Sequence, residues 1–86
     1  MSRWTVYLLR CADGTFYAGS TTDPVRRLAE HQAGQGCRYT RARRPVRLAW
    51  SQPCRDRGSA QRREACLKSL PREAKAGLIR SRGRLP

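Results

Sequence analysis

Five side chains in this sequence have the types and spacing to act on an anionic substrate: Tyr7, Tyr17, Arg27, His31 and Glu64. A guanidinium is a planar fork matched to phosphate oxygens. A carboxylate can hold a metal ion, and phenols and imidazoles can carry protons. Singly, each also has an ordinary structural explanation. Tyrosines are common in strands, a lone histidine usually sits at the surface, and Arg27 is one arginine among many. Placement adds weight. Arg27 and His31 are four residues apart and share a helix face. That face is expected to point away from an apolar stripe of Val25, Leu28, Ala29 and Ala33, leaving it open to a substrate. Further on, Ala60, Glu64 and Leu67 fall on one helical stripe, which turns Glu64 partly inward. An unpaired charge there costs on the order of several kcal/mol. Either a neighbouring arginine or a metal ion is its expected partner, and both readings stay open.

The elements that must position these groups follow from local chemistry. Trp4 to Cys11 is dense in β-formers and reads as a strand apolar on both faces, Ala12-Asp13-Gly14 as a turn, and Thr15 to Gly19 as the returning strand. Asp23-Pro24 supplies an N-cap with proline at the first helical position, and Gly34 and Gly36 end that helix. A basic loop from Gly36 to Arg44 leads to a strand over Val46 to Trp50 and then an irregular stretch to Gly58. Ser59 is expected to cap a helix running to about Ser69, and Pro71 opens another ending near Ile79. The fold class is therefore α/β in the α+β sense: a small three-stranded antiparallel sheet with flanking helices, in the order β-β-α-β-α-α. Residues 1–79 form one domain, and residues 80–86 a basic C-terminal tail expected to fray.

Hairpin register decides whether the two tyrosines can cooperate. A two-residue Asp13-Gly14 turn would set Tyr17 opposite Arg10 and send the tyrosines to opposite faces. A three-residue loop with Gly14 left-handed would set Leu9 opposite Tyr17 and Tyr7 opposite Gly19, on one face. A functional role for both requires the second.

Composition narrows the partner. Nineteen basic residues, all arginine except Lys68 and Lys75, stand against six acidic ones, for a net charge of +13. A G- and C-rich genome accounts for the shortage of lysine but not for the shortage of acid. A polyanion, nucleic acid first, is the expected partner. No apolar run approaches the roughly 20 residues of a membrane span, and Met1-Ser2-Arg3-Trp4 lacks the layout of a secretory signal. The expected location is cytoplasmic, with no membrane partner. Cys11, Cys37, Cys54 and Cys66 include no Cys-x-x-Cys pair, so a zinc site is poorly supported. In the expected cytosolic location the even count does not imply disulfides, because thiols are kept reduced there.

Thr5-Val6-Tyr7 and Tyr17-Ala18-Gly19, ten residues apart, resemble the two name-giving tripeptides of the GIY-YIG nuclease family. Arg27 falls on the family's arginine, His31 on its His or Tyr, and Glu64, within Arg62-Arg63-Glu64-Ala65, on its helical glutamate. The run from Tyr17 to His31 is similar to the short, standalone bacterial members, as are Gly36-Cys37-Arg38-Tyr39-Thr40-Arg41 and Arg43-Arg44-Pro45-Val46. That subgroup in turn resembles the nuclease domain of Slx-type endonucleases. The likeness spans about residues 3 to 79. It departs at Thr5, at Ser20, where some relatives place a lysine, and in the absence of a following DNA-targeting domain.

The resemblance implies a metal-dependent DNA endonuclease, structure-selective or non-specific, serving DNA repair or processing. Glu64 would hold one divalent ion, Mg²⁺ or Mn²⁺, and Arg27 would grip the scissile phosphate. Tyr7 would be the general base, with Tyr17 positioning the water or sharing the role. His31 would hydrogen-bond a tyrosine or the water, or take the proton. Arg26, Arg38, Arg41, Arg43, Arg44 and Arg47, with the tail arginines, would contact the DNA backbone. Tyr39 would stack on an unpaired base of branched, flapped or single-stranded DNA, or else pack on the core as an ordinary loop aromatic. Two other readings remain: a DNA-binding module, and an adaptor that needs a protein partner for targeting and activity.

Overall fold

The computed structural model describes residues 3–86. Met1 and Ser2, which head the segment read as lacking a signal, fall outside the described residues. Three antiparallel strands, β1 (Trp4–Arg10), β2 (Phe16–Thr21) and β3 (Arg47–Cys54), form a sheet in the order β2-β1-β3. Helices α1 (Pro24–Gln32), α3 (Arg57–Ser69) and α4 (Arg72–Ser81) flank it. The expected β-β-α-β-α-α order holds, with one addition. The basic loop contains a single helical turn, α2 (Arg38–Arg41).

β1 is apolar on both faces because it is the central strand and each face is covered. Val6 and Leu8 point into a cluster with Trp50, Ala60 and Leu67, capped by Leu78 and Ile79. Tyr7, Leu9 and Cys11 point the other way, into a second cluster with Val46, Leu28 and Tyr39. The tyrosine face is thus the α1 face, and α3 packs on its opposite.

The hairpin adopts the three-residue loop. Cys11 N donates to Thr15 O and Gly14 N to Cys11 O, both at 2.9 Å, with Gly14 at φ +85°. Only a residue without a Cβ takes that conformation at little cost. Leu9 consequently faces Tyr17, and Tyr7 faces Gly19.

Several boundaries move for identifiable reasons. β3 runs on to Cys54, through a stretch expected to be irregular, because it is an edge strand and tolerates Pro53. α3 begins before Ser59 because Asp56 supplies the cap, its Oδ1 accepting from Ser59 N at 2.8 Å. The tail expected to fray is instead docked. Trp50 Nε1 donates to Gly83 O at 2.9 Å, and the Gln52 amide accepts from Leu85 N at 2.7 Å while donating to Leu85 O at 3.1 Å. Gln52 is buried on edge strand β3, so the tail supplies the partners that its amide must find. Among the described residues no helix is long and apolar enough to cross a membrane.

Gly19 carries the Tyr7 ring directly above it. A Cβ built at Gly19 would stand 2.5 Å from the Tyr7 hydroxyl and 2.6 Å from Cζ. Gly19→Ala should therefore cost about 1–3 kcal/mol of overpacking. Gly77→Ala in α4, whose Cβ would meet only Arg80 Nη2 at 4.0 Å, should gain about 0.5–1 kcal/mol. Urea unfolding of the two variants checks this, and equal midpoints would show that the Tyr7 ring does not rest on Gly19.

Candidate active site

Helix α1 is turned the other way from expectation. Val25 is 81% exposed, Ala29 and Ala33 are also exposed, and the buried residue is His31, at 0%. The apolar stripe read from Val25, Leu28, Ala29 and Ala33 keeps only Leu28 on the core. The polar face goes inward because its groups find partners there. His31 Nε2 lies 3.2 Å from the Tyr7 hydroxyl and Nδ1 lies 2.7 Å from Thr40 Oγ1. Arg27 Nη1 donates to Glu30 Oε1 at 2.9 Å and Nη2 to Gly36 O at 3.0 Å. Gly36 is needed here as well, since a Cβ at that position would collide with His31 Nδ1.

Tyr7, Tyr17, Arg27 and His31 therefore meet on one face of the sheet. The His31 ring stands edge-on to both tyrosines, with centroids 6.2 Å from Tyr7 and 5.3 Å from Tyr17. Both ring nitrogens are taken and no surface of the ring is exposed, so His31 acts on a substrate only through Tyr7. A chain that satisfies every hydrogen runs in one direction. The Tyr7 hydroxyl donates to Nε2, Nδ1–H donates to Thr40 Oγ1, and Thr40 donates to Cys37 O at 3.4 Å.

The electrostatics agree with that direction. Burial, and then the Arg27 guanidinium, hold the His31 imidazole below its ordinary value and so neutral. Burial pushes the Tyr7 phenol up and the charge of Glu64 adds to this, while Arg27 pulls the other way. Tyr17 is raised much further, by burial and by the Cys37 thiol beside it. Arg27 is raised by its bond to Glu30. At neutral pH both tyrosines are therefore protonated, and a resting phenolate plays no part.

Glu64 comes from α3, on the far face, and reaches the β2 edge. Ser20 Oγ donates to its Oε1 at 2.7 Å and Lys68 Nζ lies 2.8 Å from Oε2, with Ala60 and Leu67 buried on the same stripe. Of the two partners anticipated for it, an arginine is not the protein group that meets it; Ser20 and Lys68 are. Its charge nonetheless bears on Tyr7. Among the described residues no three His, Cys, Asp or Glu side chains gather as a metal cluster. The donor chemistry still fits a hard divalent ion. Ser20 aims one carboxylate oxygen, while the other is held only by an exposed i,i+4 lysine, a weak surface pair that an incoming cation can displace.

The basic loop is partly structural. Tyr39 stacks on Tyr17 at 5.8 Å, and Arg43 Cζ lies 3.9 Å from its ring centroid. These contacts, and its packing on the second core cluster, match the packed loop aromatic that is the alternative to base stacking. Arg43 is tied to Asp13 Oδ2 at 3.1 Å and Tyr39 O at 2.9 Å, and Arg44 to Arg41 O at 3.1 Å and Gln32 O at 3.2 Å. Arg26 is exposed beside Glu30, and Arg38, Arg41 and Arg47 are exposed without an ion pair among the described residues. Sequence reasoning missed Thr40. Its only signal was a hydroxyl one helical turn inside a loop beside Gly36.

A profile of the GIY-YIG catalytic domain matches residues 3–76. The chain is 47% identical over 79 residues to a UPF0213 protein of Desulfotalea psychrophila, covering 91% of this chain and 72% of the relative. It is 48% identical over 74 residues to one of Halobacterium salinarum, covering 86% and 96%. The solution structure of a UPF0213 protein from Bacillus halodurans superposes with a TM-score of 0.59 at 40% identity, covering 96% of this chain and 87% of that one. The chain belongs to the GIY-YIG family, whose catalytic domain is of nuclease type, and it is similar over most of its length to the UPF0213 proteins.

Because His31 is neutral in the fold, its protonation favours unfolding. Stability should be highest above the ordinary histidine value of 6.5 and decline as pH falls below it, since the unfolded chain then binds the extra proton. Thr40→Val should cost about 1–3 kcal/mol by leaving Nδ1 unpartnered. Urea midpoints between pH 8 and 5 test both. A flat profile in that window, above the range where the carboxylates titrate, would show that His31 is not held neutral.

Proposed function

We propose that this protein is a metal-dependent DNA endonuclease, structure-selective or non-specific, working in the cytoplasm in DNA repair or processing. The observation that carries the reading is the buried, neutral His31 holding the Tyr7 hydroxyl beside Arg27. Such a pair is more than a binding surface needs.

In this reading Tyr7 is the general base. Its oxygen takes a proton from the attacking water while its own proton passes to His31 Nε2. Nδ1–H stays on Thr40 and fixes the ring, so the imidazole gains one proton and the water loses one. Tyr17, raised too far to ionise, stays a neutral donor that positions the water. Arg27, anchored by Glu30 and Gly36, offers its remaining N–H groups to the scissile phosphate as charge builds on it. A divalent ion, Mg²⁺ or Mn²⁺, held by Glu64 would supply Lewis acidity at the phosphate and the leaving 3′ oxygen. Arg26, Arg38, Arg41, Arg44 and Arg47 supply sequence-independent contacts to the DNA backbone.

Glu64→Ala and Arg27→Ala should lower Mg²⁺- or Mn²⁺-dependent nicking of supercoiled plasmid, and cutting of flapped or branched oligonucleotides, by about 10²-fold or more, with DNA binding retained. Tyr7→Phe should do the same. If gel shifts persist while no nicking depends on Glu64, the protein is a DNA-binding module. If nicking appears only after a pulled-down protein is added, it is the nuclease half of a complex.

A further inference from the structure

On the α3 side of β3 lies a depression of about 360 Å³ whose walls include Arg55, Arg62, Arg63 and Arg84, with Ser59 and Gln52 between them. No carboxylate lines it. Asp56, the nearest acid in sequence, is engaged in capping α3 through Oδ1. Asp56 Oδ2 lies 3.9 Å from Arg55 Nε, an exposed pair, whereas Arg62, Arg63 and Arg84 have no ion pair among the described residues. Three like charges converging in this way are unfavourable in the free protein and are relieved when an anion arrives.

Two features make this more than an exposed basic patch. Arg84 stands between Gly83 and Leu85, whose backbone is pinned by Trp50 and Gln52, so it is presented from a fixed position. Arg63 is held through Nη1 alone, to Ser59 O at 3.3 Å and Ser59 Oγ, while its buried Nε has no hydrogen-bond partner. A guanidinium kept in place with donors unused lacks an acceptor, and an oxyanion supplies one.

We infer that this depression is a phosphate-binding site, separate from the Tyr7–Arg27 face, that takes a backbone phosphate of the bound nucleic acid. Arg63 and Glu64 are consecutive on α3. Glu64 turns to β2, and Arg63 turns to β3 and the tail. A strand seated at the depression is therefore registered against the helix that carries the site's carboxylate. The inference rests on nucleic acid being the ligand and is independent of whether it is cut.

The test uses the full chain in the presence of a chelator, so that cleavage cannot intervene. Inorganic phosphate, titrated at constant ionic strength against chloride, should give saturable shifts of the Arg63 and Arg84 side-chain NMR signals and raise the Tm. Arg62→Ala with Arg84→Ala should abolish the Tm rise and lower the slope of log K against log salt for a single-stranded or flapped oligonucleotide by about one, the loss of a single phosphate contact. Arg72→Ala with Lys75→Ala, the same charge change at residues that do not line the depression, should leave the slope unchanged. Absence of saturable shifts, or equal slopes in the two double variants, overturns the proposal. Saturable phosphate binding with wild-type oligonucleotide affinity in the Arg62/Arg84 variant overturns the nucleic-acid assignment and leaves a site for a free anion.

Discussion

His31 is fully buried, and each of its ring nitrogens must meet a partner where water does not reach. Tyr7 comes to it from β1, Thr40 from α2, and Tyr17 packs against its edge from β2. Remove the imidazole and these elements lose the group they share. Two missing side chains make the arrangement possible. Gly19 lets the Tyr7 ring lie flat on β2, and Gly36 lets the loop close over Nδ1. The same requirement fixes the rotation of α1. Once His31 and Arg27 are satisfied inside, Val25 is left outside, and a hydrophobic residue at 81% exposure is the smaller loss.

That rotation is where sequence reasoning fails, and the reason is instructive. Periodicity assumes that apolar residues define the inward face, and in α1 the inward face is defined by hydrogen bonds instead. Strand order and hairpin register were legible, because Gly14 and the alternation of Leu9, Tyr7, Tyr17 and Gly19 leave one register that puts both tyrosines together. The inward tilt of Glu64 was legible from Ala60 and Leu67. Thr40 was not, since a buried threonine in a basic loop looks like any other until His31 is placed beside it. Nor was the docked tail, whose partners Trp50 and Gln52 stand more than thirty residues away in sequence.

The positive charge divides in a similar way. Arg27, Arg43, Arg44 and Arg63 each donate to backbone carbonyls and act as struts. The six acidic residues have local duties. Asp13 closes the hairpin loop onto Arg43, Asp23 and Asp56 cap helices, Glu30 holds Arg27, Glu64 meets Ser20, and Glu73 sits in the first turn of α4. Little acid remains to break up the surface field. A positive field of that kind draws a polyanion to every side of the molecule and raises encounter rates without choosing an orientation.

Orientation must then come from shape and from donors held in fixed positions. An exposed arginine with no anchored donor follows a phosphate wherever it lies, so in the proposed reading Arg38 or Arg47 would contribute affinity but little register. Arg27 and Arg63 differ because the backbone has already anchored part of each fork. The first faces the Tyr7–His31 pair and the second faces the tail, on opposite sides of the sheet. For a duplex-width ligand, contact with both requires a path around the sheet edge. A bent, branched or single-stranded ligand can follow such a path more readily than a straight duplex, whose bending over a short span costs on the order of several kcal/mol. In the proposed reading, selection by DNA structure would follow from where two arginines are anchored, without any residue that reads a base.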